Sequence, residues 1–532
     1  MLNKTRLTPA IAAVIAAAPF SAGATDYGQF VENFLNSPGI AHQQFGFLSP
    51  LSSSATAADV VPRELASASE RQFLAGGLKA EFVSRSVGYK ADMITFWPDD
   101  IDYTHLIVCN EDGRSGVVTT AFGTHAGQNP SVQRVDVSTG AVETILSGMD
   151  RCDGLRTTQW GTVLATEETD DGAGYEILDP MATTGCWISD RGAPGVDADI
   201  RSSIGNGTAD SCESEIKKRT ALATQSWEGL EVLDNGVVIG GDELRAGNGP
   251  DGFDSDGGAV FRFVPETFYS CTGAPVRPGQ LCGNLITDLS QSPLVAGQNY
   301  ALTNACTGND DVGQGCEYGE GKWVAVGAAT ARDDADDNGA TGYCRPEDLH
   351  VDRTYGMFNG GEGILWCWNN TCGGGEGETL CVTESNAAVN ANDQVFDNNF
   401  NQYLLADGGN EAQAWVTRFV EGDEEMNSHD NLDIQPYTRN VYVVEDTTFG
   451  DIWACLPDGA DRDWRTDGCV RMLSIRDPEA EPSGFIFDGT GRTAFYHVQH
   501  GQTPAALADF DSNPVDGETD DLIKITGFRI RK

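Results

Sequence analysis

Positive charge is the scarcest property of this sequence. Its 532 residues carry 34 Lys and Arg against 80 Asp and Glu, a formal net charge of -46. A surface that negative repels nucleic acid and anionic membrane, so neither is expected as a binding partner. An anionic small molecule would need a local Arg or a bound cation to approach. Long amphipathic helical segments are missing after the N-terminus, and no second apolar run there is long enough for a membrane span. The sequence also lacks H-E-x-x-H, G-x-S-x-G and a P-loop, and it has only seven His. These absences leave no protein nucleophile with a triad behind it.

At the N-terminus, Lys4 and Arg6 precede an apolar stretch from Ala10 to Phe20 and the small residues Ser21-Ala22-Gly23-Ala24. Residues 1–24 therefore read as a signal peptide, without a twin arginine, and the mature chain is expected in the periplasm or outside the cell. Fourteen cysteines agree with an oxidising compartment. Close spacing favours Cys271 with Cys282, Cys306 with Cys316, Cys455 with Cys469 and Cys186 with Cys212. Cys344, Cys367, Cys372 and Cys381 would supply two more pairs. That leaves Cys109 and Cys152 without an obvious local partner.

Residues 25–79 read as a Ser/Ala-rich surface arm, and residues 80–532 as one domain of short strands. Apolar or alternating segments such as Leu106 to Asn110, Thr162 to Thr166, Leu230 to Gly240, Val441 to Val444 and Gly484 to Gln499 are separated or interrupted by turn residues. The phrases beginning at Glu228, Pro346, Asp430 and Ser483 resemble one another, each setting a polar residue just before a strand. Weak self-similarity over a long all-β chain suits a β-propeller with long loop insertions. Two insertions are acidic: Asp251 to Gly258, and Asp334 to Gly339, which opens like a calcium loop but lacks the closing Glu because Arg345 stands there. Gln44 to Ala58 and the Asp-rich tail, 509–521, read as polar surface.

A propeller would gather strand-mouth acids from far apart in sequence. The candidates are Glu111, Glu167 and Glu168, Glu228, Asp242 and Glu243, Glu347 and Asp348, Asp430, and Glu445 and Asp446. So many buried carboxylates cannot all remain ionised without cations among them. Oxygen ligands suit Ca²⁺ or Mg²⁺, whereas a thiolate from Cys152, which lies a strand away from Glu167 and Glu168, would bring in iron or zinc. A buried structural Cys beside two solvated acids is the plain alternative. Arg345, beside Glu347, is placed either to hold a phosphate or carboxylate bidentately or to make a salt bridge to a neighbouring acid. His497 and His500 end a late strand and read equally as packing or surface.

Several of these phrases together resemble the PhoX-type bacterial alkaline phosphatases. They are Val108-Cys-Asn-Glu111, Cys152 with Gln159-Trp-Gly-Thr-Val-Leu-Ala-Thr-Glu-Glu168, Trp227-Glu228, Gly241-Asp-Glu243 with Gly257-Gly-Ala-Val-Phe-Arg-Phe263, Arg345-Pro-Glu-Asp348, Asp430-Asn431 and Phe495-Tyr-His-Val-Gln-His500. The resemblance implies a secreted propeller, six-bladed, that hydrolyses small phosphomonoesters with an iron and calcium cluster. It implies Cys152 as a thiolate ligand with a catalytic role, and Glu111, Glu167, Glu228, Glu347, Asp430 and Glu445 as carboxylate ligands. Arg345 would grip the phosphoryl oxygens. The chain departs from the family at Cys152-Asp153-Gly154, at Thr166 before the Glu pair, at the missing His before Glu111, and in its many cysteines. Two other functions fit the composition: a non-catalytic calcium-stabilised propeller serving binding or surface assembly, and a calcium-dependent propeller esterase or lactonase.

Overall fold

Runs of β-branched and aromatic residues such as Ala91–Trp97, Val441–Glu445 and Thr493–Gln499 form strands, and tight turns join them. The chain is seen here in a computed structural model, which describes residues 33–530 except 38, 115–116, 121–122, 127–128, 203–210, 246, 249–253, 256, 273–279, 305–317, 359–362, 373–375, 385–413, 458–467 and 501–518. The expected signal peptide, the Cys306–Cys316 pair and half of the first acidic insertion lie outside the described residues.

The strands form a β-propeller of antiparallel units. Six strands line the axis: Ala91–Trp97, Cys152–Thr157, Trp227–Val232, Pro346–Val351, His429–Ile434 and Glu481–Phe487. Each packs against the next, and the last against the first, in a closed ring. Each also begins a unit of at least four strands. The third and fourth units are hydrogen-bonded to each other at their outer edges, where Gly319–Val326 pairs with Ala414–Glu421, so they form one nine-stranded sheet. Counted by inner strands there are six units; counted by hydrogen-bonded sheets, five large ones.

Six apolar clusters fill the six interfaces between successive units. Ile107 meets Leu155 between the first and second, and Leu164 meets Val238 between the second and third. The remaining interfaces hold Tyr300 with Trp366, Leu380's neighbour Cys381 with Leu432, Tyr442 with Tyr496, and Phe96 with Phe495. Each large side chain buried this way contributes about 2 kcal/mol. No described helix is long and apolar enough to cross a membrane.

The chain ends close the ring. Lys79–Gly88 pairs with Thr519–Thr526 as the outermost strand of the sixth unit, and Gln72–Leu74 extends the fifth. Two expectations of polar surface fail here. Phe45, Phe47 and Ala55 are buried, and Asp520 and Asp521 lie fully inside the closing sheet. Asp521 is tolerated because Arg63, Arg71 and Arg85 surround it. The second acidic insertion is also not a calcium loop. Ala331–Asp337 is a helix, and Asp334 accepts hydrogen bonds from the Gly327 amide and the Thr330 hydroxyl at its start.

Candidate metal centre

Each inner strand opens with the same irregularity. It pairs with its neighbour at Ala91↔Asn110, Cys152↔Glu167, Trp227↔Asp242, Pro346↔Asn370 and His429↔Glu445. The next pairs are Ile94↔Val108, Leu155↔Ala165, Leu230↔Gly240, Leu349↔Trp368 and Leu432↔Val443. The inner strand thus advances three residues where its partner advances two, a β-bulge that re-aims a side chain. In all five strands the residue after the first pair is an acid: Asp92, Asp153, Glu228, Glu347 and Asp430. The sixth strand has the bulge too, between Ser483 and Ile486, but Gly484 takes the acid's place. A Cβ there would lie 2.1 Å from the Asp92 carbonyl oxygen.

In five of the six units the residue just past the end of the second strand completes the ring: Glu111, Glu168, Glu243, Asp446 and His500. With the five bulge acids, Glu481 and Arg345, they line one cavity of about 550 Å³ at a mouth of the axis. In the fourth unit the residue at that position is Thr371, which does not line the cavity. Glycines let the inner strands close in around it. Gly154 and Gly229 follow bulge acids, and a Cβ on Gly229 would meet the Glu347 carbonyl oxygen at 2.6 Å.

Strand alternation splits the acidic pairs, and two expected ligands fall on the wrong side. Glu167 accepts hydrogen bonds from the Asp150 amide and from Arg191, each at 2.9 Å. Glu445 accepts from the Asn427 amide at 3.0 Å, the Asp451 amide at 3.1 Å and the Trp453 indole at 2.9 Å. Asp242 does the same with the Ser226 amide and Arg332. All three anchor the loop entering the inner strand of their own unit. Their successors Glu168, Asp446 and Glu243 face the cavity. Glu111, Glu228, Glu347 and Asp430 lie in it as expected, and so does Arg345. Asp348 does not: it sits below, paired with His350 at 3.3 Å and Arg156 at 3.5 Å. His497 is buried with Nδ1 2.6 Å from the Asp92 carbonyl oxygen, while His500 forms cavity wall against Glu481 at 3.2 Å.

Cys152 requires a larger correction. Its sulfur is bonded to Cys109, across Cα atoms 5.1 Å apart, and both are fully buried in the core between the first two units. A disulfide sulfur offers no thiolate, so Cys152 is neither a metal ligand nor catalytic in this arrangement. The two cysteines that lacked an obvious local partner thus pair with each other. Among the described residues the expected pairs Cys186–Cys212, Cys271–Cys282 and Cys455–Cys469 form, and the group of four resolves into Cys344–Cys372 and Cys367–Cys381.

The cavity is electrostatically unsatisfied. Burial, then neighbouring carboxylates, push Asp153, Glu228, Glu347 and Asp430 well above the ordinary carboxylate range. Glu168 is raised by burial and by its contact with Glu243, and Asp92 is raised to about 7 by burial and Glu111. Asp92 Oδ1 and Asp153 Oδ1 are buried without a hydrogen-bond partner. Two carboxylate triads bring their oxygens within 4.8 Å of one another: Asp153, Glu168 and Glu228, and then Glu228, Glu243 and Glu347. Glu228 belongs to both. An all-oxygen, flexible donor set of this kind fits Ca²⁺, which takes six to eight oxygens. Arg345 is the one Lys or Arg among the described residues lining the cavity; its Nε donates to Glu243 at 2.5 Å and lies 3.3 Å from Glu347.

Asp92, Asp153 and Glu481 were not singled out by sequence. The signal that marks Asp92 and Asp153 is their place in the bulge, one residue after the cross-strand partner of a second-strand end. No protein-family model matches the chain, and no curated protein matches it. Solved structures do. PhoX from Pseudomonas fluorescens, in complex with the transition-state analogue vanadate, is similar at 14% identity and a TM-score of 0.48 over 88% of this chain and 97% of that one. The PQQ-bound aldose sugar dehydrogenase of Streptomyces coelicolor is similar at 10% identity and a TM-score of 0.33, over 84% and 98%. A putative gluconolactonase is similar at 10% identity and a TM-score of 0.32, over 88% and 94%.

Proposed function

We propose that the protein is a secreted, calcium-dependent hydrolase of small phosphomonoesters, with the axial carboxylate cavity as its active centre. The observation that carries this reading is the pair of carboxylate triads sharing Glu228, with the Arg345 guanidinium beside the second. Asp153, Glu168, Glu228, Glu243 and Glu347 would hold the cations, with Asp92, Glu111 and Asp430 completing their shells. Bound cations there would stabilise charge developing on phosphoryl oxygens and acidify water. Arg345 would hold the phosphoryl group by its two parallel N–H donors and orient it toward the carboxylate ring. Filling the ring with cations also cancels the field that otherwise repels an anionic substrate. The six disulfides among the described residues accord with secretion.

Iron entered the reading through the Cys152 thiolate, which the bond to Cys109 removes; calcium is the metal proposed. The same disulfide favours a second reading, a calcium-stabilised propeller without catalysis, for which a thiolate is unnecessary. An esterase or lactonase would also need no thiolate. Protein stripped with chelator and reloaded with calcium should release phosphate from p-nitrophenyl phosphate, and Arg345→Ala should lower kcat/KM by at least about a hundredfold. Tight calcium binding with no turnover would leave the non-catalytic propeller. Turnover of p-nitrophenyl acetate or a lactone alone would leave the esterase.

A further inference from the structure

Three cations occupy one structural position in three different units. Lys90, Arg151 and Arg345 each immediately precede an inner strand, and each has left-handed backbone, with φ of 56°, 56° and 52°. Such backbone is uncommon for long side chains and persists where the surroundings impose it. Here it falls at the turn into each bulged strand; Arg345 lines the cavity, and Lys90 and Arg151 lie beside the lining acids Glu111 and Glu168.

The three cations fall into two groups. Lys90 Nζ lies 4.0 Å from Glu111, and Arg151 Nη1 lies 3.5 Å from Glu168. Both stand beside acids at the ends of second strands in adjacent units. Arg345 acts instead on Glu347, Glu243 and Glu228. Lys90 and Arg151 come from the adjacent first and second units; Arg345 comes from the fourth. Two basic centres therefore stand at separate sectors of one acidic mouth. A lone phosphoryl group needs only one of them. Lys90 is 30% and Arg151 51% exposed, so both are within reach of a ligand entering the mouth. Their present partners, Glu111 and Glu168, belong to the candidate cation set, and cations held there would compete for the same oxygens.

Resting on the phosphoester reading of the cavity, we propose that Lys90 and Arg151 form a second anion subsite, so that the preferred substrate is a phosphomonoester carrying a further anionic group on its leaving portion. Arg345 takes the phosphoryl end, and Lys90 with Arg151 take a carboxylate or second phosphate. This also supplies selectivity, because a substrate lacking the second anion leaves two cations whose carboxylate partners the metals claim.

The test compares 3-phosphoglycerate with glycerol 3-phosphate, which differ by a carboxylate in place of a hydroxymethyl group. Each is titrated calorimetrically into the calcium-loaded protein and into a Lys90→Asn, Arg151→Asn double variant. Asn removes the charge and suits left-handed backbone, and thermal melting confirms that the variant folds. The parent should bind 3-phosphoglycerate about tenfold more tightly, and the double variant should bring the two within about twofold. Equal binding by the parent, a preference retained by the variant, or no binding of either compound would overturn the subsite. Phosphate release, measured in parallel, reports separately on the hydrolase reading. Selective binding without release would keep the subsite and sink the hydrolase, and release from both compounds without selectivity would do the reverse.

Discussion

Glu167 and Glu168 are neighbours in sequence with opposite fates. One fully buried carboxylate is held by Arg191 and a backbone amide; the next joins a ring of acids with too few partners. The same division separates Asp242 from Glu243 and Glu445 from Asp446, because successive strand residues face opposite ways. Composition marks such pairs, but parity at a strand end decides which member is which, and that depends on where the strand stops. Substitution should separate the roles. Glu167→Gln leaves Arg191 without its buried partner and should cost about 3 kcal/mol in urea unfolding with calcium affinity little changed. Glu168→Gln should weaken calcium binding at least about tenfold while leaving the chelated protein as stable as the parent or more so. Without metal, the ring's folded-state carboxylates bind protons that the unfolded chain has released. Chelated protein should therefore lose stability as pH rises from about 4, the ordinary carboxylate value, through about 7, where Asp92 titrates. Calcium should oppose that loss, so the difference in melting temperature between calcium and chelator should widen across this window. A difference that stays flat would mean that the ring does not bind the metal.

At the scale of the strand, the bulge is the repeated device. Four of the six inner strands were visible as the similar phrases at Glu228, Pro346, Asp430 and Ser483. The first, opening at Ala91, was hidden because Ala91-Asp92-Met93-Ile94 lacks the acid-x-Leu of the strands at Glu228, Glu347 and Asp430, and its likeness to them lies in register. The second does carry that wording, since Asp153-Gly154-Leu155 matches Glu228-Gly229-Leu230, yet it was not among the phrases singled out. Strand existence was legible where β-branched and aromatic runs are bounded by turns, but not at Gln72–Leu74 or at the start of Thr519–Thr526, whose acids read as polar surface. Disulfides between near neighbours were legible from spacing, whereas Cys109–Cys152 joins two different units and is set by the propeller's closure. The glycines after bulge acids are equally a tertiary matter: Gly229 is small because the Glu347 carbonyl lies against it. Gly229→Ala should lower the melting temperature and loosen calcium binding together, since it pushes apart the strands that carry Glu228 and Glu347. A change in one without the other would contradict that coupling.

Over the whole molecule, chain ends and charge are managed together. The outermost strand of the sixth unit comes from the N-terminal side and pairs with Thr519–Thr526, so the ring is closed by residues more than four hundred positions apart. Asp521 sits at that seam among three arginines; burial would raise it, but Arg63 and Arg85 hold it below the usual carboxylate value. Asp521→Asn should cost about 3 kcal/mol and make the seam the first part to exchange amide hydrogens. The overall charge of -46 is concentrated in function at the axial mouth, where acids from all six units converge. Cations bound in that ring, together with Arg345, would offset the field that opposes an anionic substrate. The most direct measurement is a calorimetric calcium titration of chelator-stripped protein beside Glu228→Gln. The parent should bind at least two calcium ions with micromolar or tighter affinity and proton release at neutral pH. Glu228→Gln, which removes the carboxylate common to both triads, should weaken both together. Calcium binding that is absent, or unchanged in Glu228→Gln, would contradict a metal centre at the axial mouth.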